Sequence, residues 1–164
     1  MGIVKKIFFM PAAINLLLGL GLVMGAYLFE VIGYYDPCPL CILQRWAFAF
    51  IGFCGLILFI PGLHSMINKF LILVAGLFAL GGSIVASRQI YLQHLPAEQI
   101  PTCGPPLDAL MEYLPLMEVI QKILLGDGNC AEYQWRFIFN FAEWALIFFI
   151  GLFFYNLYFF LKRF

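Results

Sequence analysis

The stretch CPLCILQRWAFAFIGFCGLILFI, residues 38–60, carries the pattern that decides the fold. After a pair of cysteines and the polar residues Gln44 and Arg45, it continues without a charge as far as Ile60. A helix needs about 20 apolar residues to cross about 30 Å of hydrocarbon. Residues 42–60 meet that requirement, so the stretch predicts a membrane-spanning helix that begins at a cysteine pair.

The composition of the whole chain agrees with this prediction. Of the 164 residues, 64% are hydrophobic and only 11% are charged, whereas roughly a quarter are charged in an average soluble domain. A soluble or disordered protein is therefore excluded. Three further apolar runs lie at 7–29, 70–87 and 137–161. Because all four are continuous rather than alternating, they predict an all-α, four-transmembrane-helix bundle in one membrane domain over residues 1–164.

The position of the charges along the chain predicts its orientation. Nine basic and nine acidic residues cancel in the total, which suggests no nucleic-acid partner. Lys5, Lys6, Lys69, Lys162 and Arg163 lie on one side of the four runs, in segments without Asp or Glu. The positive-inside rule then places both termini in the cytoplasm and the loops 30–41 and 88–136 outside. This pattern also favours a retained first span over a cleaved signal peptide.

The longer outer loop contains one short amphipathic segment, Leu116–Leu125. Pro115 precedes it, and Gly126 and Gly128 follow it, which is typical of helix start and stop signals. We predict a short interfacial helix on the membrane surface. A helix that only caps the bundle is the alternative.

Four of the five cysteines, Cys38, Cys41, Cys103 and Cys130, fall in the predicted outer loops. An oxidising compartment favours disulfides there. Pairing within each loop is the natural choice, but four cysteines permit three connectivities. Cys54 lies in the middle of the second span and is predicted to be a small, inert, buried residue.

Three roles are considered for these four cysteines: a metal site, structural disulfides and redox exchange. Because Cys103 and Cys130 are far apart in sequence, the spacing does not favour a zinc site, and we predict no metal. Two inert disulfides that staple the loops are a second possibility. However, the Cys38–Cys41 spacing closes a ring too small to stabilise much, and it is typical of thiol–disulfide exchange. The redox interpretation is therefore favoured.

Arg45 lies one helical turn after Cys41, on the same face of the second span. It could extend its side chain to the lipid headgroups. The interpretation we favour is that it stabilises a Cys41 thiolate and binds an anionic or carbonyl partner. Because the span begins directly at the cysteine pair, we expect an oxidant held there to be membrane-embedded, and a quinone fits that location.

Three motifs resemble those of the DsbB family, the bacterial disulfide bond formation protein B. They are CPLCILQRW at 38–46, PTCG at 101–104 and GDGNCAEYQW at 126–135. The resemblance extends over nearly the whole chain, through four spans and two outer loops. It implies an inner-membrane oxidoreductase that reoxidises a periplasmic thioredoxin-fold, DsbA-like dithiol protein. The electrons would pass to a membrane quinone, either ubiquinone or menaquinone.

The resemblance also assigns roles to residues. Cys103 and Cys130 would exchange with the partner, with Cys103 forming the mixed disulfide. Cys38 and Cys41 would reoxidise that pair, and Cys41 would meet the quinone beside Arg45. Gln93 and the Arg88–Gln89 stretch, at the outer end of the third span, match a region that lines the family's quinone pocket.

One segment departs from the family. Its fourth helix commonly opens with a Gly and a Pro before a Trp, whereas this chain has FNFAEW at 139–144. The role of Glu143 is left open, and a specialised paralogue with a dedicated partner is one alternative. A disulfide-stapled scaffold without redox turnover is another. A relative of the vitamin K epoxide reductases is a third, although that family usually carries its CxxC near a later span.

Overall fold

The computed structural model describes residues 2–33, 37–61, 63–100, 112–126, 128–131 and 138–162. Its long helices are α1 (Gly2–Gly33), α2 (Pro39–Leu58), α3 (Ser65–Gln93) and α6 (Phe141–Lys162). Between α3 and α6 lie a 3-10 turn (Ala97–Gln99), α4 (Leu116–Leu125) and the short α5 (Gly128–Ala131). No β-strand occurs in these described segments, which confirms the all-α prediction.

Four helices are long and apolar enough to cross a membrane: Met10–Gly33, Pro39–Leu58, Ser65–Gln93 and Phe141–Lys162. The four-helix membrane bundle is therefore confirmed. Helix α3 begins at Ser65 and ends at Gln93, so it is longer at both ends than the apolar run at 70–87. At its start, the ring nitrogen Nδ1 of His64 accepts a hydrogen bond from the Met66 backbone N–H.

The helices pack in the order α1, α2, α3, α6, and α1 contacts α6 much less than the other neighbours contact each other. The α1–α2 contact is close because glycines form it. A Cβ added at Gly55 would lie 2.5 Å from the backbone nitrogen of Leu16, and one at Gly19 would meet the backbone of Gly52. Small residues let helix backbones approach each other in lipid, where packing drives association.

Within the described residues, side chains of α1 and α6 contact each other in the bundle core and near the cysteine end. Asn15 and Asn156, both fully buried, donate to each other's side-chain oxygens at 2.8 and 3.0 Å. Towards the cysteine end of the bundle, the rings of Phe29 and Phe141 pack edge to face, with centroids 5.6 Å apart. Phe29 and Phe141 also line an internal space between the helices, described below.

The start of α6 explains the FNFAEW departure. The Asn140 side-chain oxygen accepts from the Glu143 backbone N–H at 2.9 Å, and a Glu143 carboxylate oxygen accepts from the Asn140 backbone N–H at 2.8 Å. This reciprocal pair is a capping box. The role of Glu143, which the sequence comparison left open, is therefore to start α6. The capping pattern N-x-x-E was a local signal that could have predicted it.

Helix α4 confirms the helix predicted in the second outer loop. It follows Pro115 and ends at Gly126, whose φ of 76° suits glycine. Val119 and Ile123 are buried in one apolar cluster with Leu40 and Leu92, and this cluster includes Cys38 and Cys130. Its other apolar side chains are exposed (Leu116, Met117, Ile120, Leu124 and Leu125). That they lie on the membrane surface remains a prediction.

Candidate redox site

The site begins at the N-terminus of α2, where the CPLC motif places two sulfurs side by side. Cys38 has an extended backbone and is the N-cap residue, and Pro39 starts the helix. The backbone N–H of Cys41 donates to the Cys38 sulfur at 3.3 Å. The two sulfur atoms lie 2.8 Å apart. Both are at the positive end of the helix dipole, which taken alone favours negative charge on sulfur.

Cys38 is the buried member of this pair, and Cys130 lies against it. Cys130 is fully buried in α5, in the same apolar cluster as Cys38. Hydrogen bonding with Cys130 and with Cys41, together with burial, raises the pKa of the Cys38 thiol. Cys38 is thus the sulfur between Cys41 and Cys130. Cys103, the fourth cysteine of the predicted set, lies outside the described residues.

Cys41 opens on the other side into a cavity of about 320 Å³ between α1, α2 and α6. The cavity walls are mostly apolar, with aromatic side chains from α2 and α6 and two glycines, Gly21 and Gly25, from α1. A Cβ added at either glycine would meet no atom within 4 Å. The polar lining residues are Glu30, Cys41, Gln44 and Arg45.

Arg45 also lines this cavity, and it lies one helical turn after Cys41 on α2. Its guanidinium forms an ion pair with Glu30 at the end of α1, and each side chain is about a quarter exposed, at 26%. The carboxylate compensates the charge of Arg45 near the hydrocarbon. Since a guanidinium has five N–H donors, Arg45 retains donors for a second partner in the cavity. Glu30 was not recognised from the sequence, which placed it only among the outer acidic residues.

Gln89 contacts both sulfurs, and Gln44 contacts Gln89. The resemblance implied only a place in the quinone pocket for Gln89, and it gave Gln44 no role. Gln89 of α3 donates from Nε2 to the Cys41 sulfur at 3.2 Å and to the Cys38 sulfur at 3.5 Å. Its side-chain oxygen accepts from Nε2 of Gln44 at 2.7 Å. Both glutamines are buried, at 4% and 6% exposure. Buried polar side chains in apolar spans were the available signal.

Comparisons with known proteins agree with this arrangement. The family model described as "Disulfide bond formation protein DsbB" matches residues 10–159, which include the cysteine pair, the cavity and most of every long helix. The chain belongs to the DsbB family. A disulfide-forming thiol oxidase function in the membrane is what this membership supports.

Curated relatives from the DsbB family match most of this chain and most of their own length. Disulfide bond formation protein B from Marinobacter nauticus is 42% identical over 79% of this chain and 77% of its own. The proteins of that name from Hahella chejuensis and Acinetobacter baumannii are each 40% identical over 80% of this chain, and over 80% and 78% of their own. No solved structure gave a significant match.

Two further predicted residues of this DsbB-family chain, Arg88 and Gln93, contact residues at helix ends. Arg88 donates to the backbone oxygen of Leu125 at 3.1 Å, so it ties α3 to the end of α4. The side-chain oxygen of Gln93 accepts from Asn140 at 3.0 Å, so it ties α3 to the start of α6. Neither is among the residues that line the cavity. Cys54 is buried in the core of the bundle.

Proposed function

We propose that this protein is a protein-dithiol:quinone oxidoreductase of the bacterial inner membrane. It reoxidises a periplasmic thioredoxin-fold protein of the DsbA type and passes the electrons through two cysteine pairs to a membrane quinone. The observation that carries the proposal is the position of the Cys38–Cys41 pair. Cys130 lies on its buried side, and the cavity lies on the side of Cys41.

The burial of Cys130 gives the two cysteines of the outer pair, Cys103 and Cys130, different roles. Because Cys130 is fully buried, a folded partner cannot reach its sulfur directly. Cys103, assigned by resemblance, is then the sulfur attacked by the partner's thiolate, and Cys130 leaves. The partner's second thiolate breaks the mixed disulfide, which leaves the partner oxidised and Cys103 and Cys130 reduced.

Transfer to the inner pair follows from the contact between Cys130 and Cys38. The Cys130 thiolate attacks the Cys38 sulfur of the Cys38–Cys41 disulfide, and Cys41 leaves as a thiolate. The Cys103 thiolate then attacks Cys130, and Cys38 leaves. The outer pair is again a disulfide, and the inner pair holds the two electrons. Each step exchanges one sulfur–sulfur bond for another.

The residues around the cavity fit a quinone ring. The apolar walls suit a lipid-soluble ring, and Arg45 supplies N–H donors for a carbonyl oxygen. Cys41 is the cysteine that lines this space, so electrons leave the chain there. A bound quinone accepts two electrons and two protons. The apolar walls would hold the ring, Arg45 would donate to its carbonyl oxygen, and Cys41 would be the reacting sulfur.

The orientation of the protein is part of the proposal. The five basic residues that flank the spans on one side place both termini in the cytoplasm under the positive-inside rule. The cysteine end of the bundle then faces the periplasm. That compartment keeps disulfides oxidised, and it holds the partner that the mechanism requires.

The proposal is tested with the purified chain in detergent and a reduced DsbA-type dithiol protein. Ubiquinone-1 and menadione serve as the quinone probes. We expect the loss of partner thiols to follow quinone reduction at one quinone per dithiol, and to stop after quinone removal. Steady oxidation without quinone would refute the mechanism. Two disulfides that resist both partner and quinone would support the stapled scaffold.

Arg45→Ala tests the assigned binding site. It should raise the apparent KM for ubiquinone-1 by about tenfold or more, because a charge-assisted hydrogen bond is lost. Arg88→Ala, prepared in parallel, compares the cavity with the pocket implied by resemblance. A rise in KM for Arg88→Ala alone would place the quinone at the end of α3 instead.

A further inference from the structure

We propose that Gln89 is a further catalytic residue of this protein, positioned by Gln44, and that it stabilises negative charge on the Cys41 sulfur. The inference rests on the proposed function, because it takes Cys38 and Cys41 as the inner redox pair. It is carried by a connected set of side-chain hydrogen bonds between α2 and α3.

The two sulfurs receive a donor from a helix that is distant in sequence. The Gln89 nitrogen lies 3.2 Å from the Cys41 sulfur and 3.5 Å from the Cys38 sulfur. An amide nitrogen carries two hydrogens, so Gln89 can donate to both sulfurs. At 4% exposure, its side chain has little access to water. The environment that the sulfurs experience on this side is therefore set by Gln89.

Gln44 determines which end of the Gln89 amide faces the sulfurs. Its nitrogen donates to the Gln89 oxygen at 2.7 Å. The oxygen of Gln89 is thus held towards α2, and its nitrogen is directed towards Cys38 and Cys41. The reverse orientation would point a carbonyl oxygen at a sulfur that becomes negatively charged. Because Gln44 acts through Gln89, it is a positioning residue.

The donor matters at the step in which Cys41 becomes a leaving group. When Cys130 attacks Cys38, the bond between Cys38 and Cys41 breaks, and its electron pair stays on Cys41. Negative charge then develops on a partly buried sulfur, where charge is costly without hydrogen-bond donors. Gln89 donates to that atom before the charge forms, so no rearrangement is needed.

The same hydrogen bond affects the redox equilibrium of the pair. A donor to a thiolate stabilises the reduced form more than the disulfide, since a disulfide sulfur is a weak acceptor. Stabilising the reduced form makes a disulfide a stronger oxidant. This is the property that the inner pair needs in order to take electrons from the outer pair.

The test is the equilibrium of the Cys38–Cys41 pair with glutathione in the full chain without quinone. In this reaction the two cysteine thiols lose two electrons and two protons, and oxidised glutathione becomes two molecules of glutathione. The pair is trapped by alkylation and identified by peptide mass spectrometry. Gln89→Met, of similar length but without a donor, should shift the equilibrium about tenfold to hundredfold towards the disulfide.

A double-mutant cycle separates a positioning role from ordinary packing. Gln44→Met should shift the equilibrium in the same direction by a smaller factor, and it should add nothing in the Gln89→Met background. Gln121→Met is the matched control, because Gln121 is an exposed glutamine on α4, and it should leave the equilibrium unchanged. If Gln89→Met does not fold, Gln44→Met decides by the same shift.

Two results would overturn the inference. A folded Gln89→Met protein within about twofold of the wild-type equilibrium removes the role of Gln89, since a charged-group hydrogen bond contributes more than that. Full additivity in the cycle removes the role of Gln44. Quinone-dependent turnover of the wild type is measured on the same samples. Absence of turnover rejects the proposed function, whereas the glutathione equilibrium still decides the role of Gln89.

Discussion

The glycines on the two sides of helix α1 have opposite surroundings. Towards α2, Gly19 lies against the α2 backbone, and Gly55 of α2 lies against α1, so that no side chain fits between the helices. Towards α6, Gly21 and Gly25 face open space that belongs to the cavity. The same residue type closes one interface and leaves room in the other. What surrounds the missing side chain determines which of the two occurs.

This difference separates a structural interface from a functional one. Close backbone contact along α1 and α2 gains dispersion energy and holds the bundle together. The gap between α1 and α6 forgoes that packing. Phe29 and Phe141 line it, and the Asn15–Asn156 pair joins the same two helices elsewhere. We therefore expect substitutions along α1–α2 to change stability, and substitutions in the gap to change quinone use.

The largest effect is expected for Gly55→Leu. Its Cβ would lie 2.5 Å from the Leu16 nitrogen and 2.9 Å from the Ala12 oxygen, and these backbone atoms cannot move aside without separating the helices. The loss of stability should reach about 3 kcal/mol or more, at the upper end for overpacked cores. Thermal unfolding in detergent, followed by circular dichroism, measures it. An unchanged Tm would show that the α1–α2 interface is loose.

Gly25→Leu should affect the other interface. The new side chain would enter the cavity, raise the apparent KM for ubiquinone-1 by about tenfold, equivalent to about 1.4 kcal/mol, and leave Tm near the wild-type value. Gly81→Leu is the matched control, because Gly81 also faces open space but does not line the cavity. Equal KM values for the two variants would mean that the cavity does not hold the quinone.

The Asn15–Asn156 pair should show coupling between its partners. Asn15→Leu leaves the Asn156 amide without its buried partner and should cost about 1 kcal/mol. Asn15→Leu/Asn156→Leu should recover part of that loss, because neither helix then carries an unpaired amide. Unfolding of both single variants and the double variant gives the coupling energy. Strict additivity would show that the pair does not join α1 to α6.

The smallest effect is expected for Cys54→Ser, which compares the two cysteines within α2. Cys54 packs in the bundle core, whereas Cys41 lines the cavity. Turnover with ubiquinone-1 should stay within about twofold of the wild type, since a buried structural thiol is inert. Cys41→Ser in the same assay should abolish turnover. An inactive Cys54→Ser protein would reveal a function for the core thiol.

Much of the fold could be predicted because its signals are local. Each long helix corresponds to a continuous apolar run in the sequence, and α4 is bounded by Pro115 and Gly126. The CPLC motif predicted that a cysteine pair would begin α2, since Pro favours the first helical position. The capping box at Asn140 and Glu143 is an equally local signal, in a segment that departs from the family pattern.

The site was only partly predictable because its contacts join distant segments. Nothing in the local sequence places Gln89 beside Cys41, or Glu30 beside Arg45. Resemblance assigned the Arg88–Gln89 stretch and Gln93 to the quinone pocket. It did not indicate that Gln89 contacts the sulfurs, or that Arg88 and Gln93 contact residues at helix ends. Such roles depend on helix rotation and register, which a single run of apolar residues leaves undetermined.

By itself, the sequence determined that four helices cross a membrane and that a cysteine pair starts the second one. Both follow from the cost of exposing apolar or unpaired polar groups in the wrong solvent. Only the tertiary structure decided that Cys38 lies between Cys130 and Cys41, and that Cys41 opens into a cavity between three helices. The reason is that any apolar helix face is stable against lipid. Which helices become neighbours is therefore determined by close packing and by buried polar pairs.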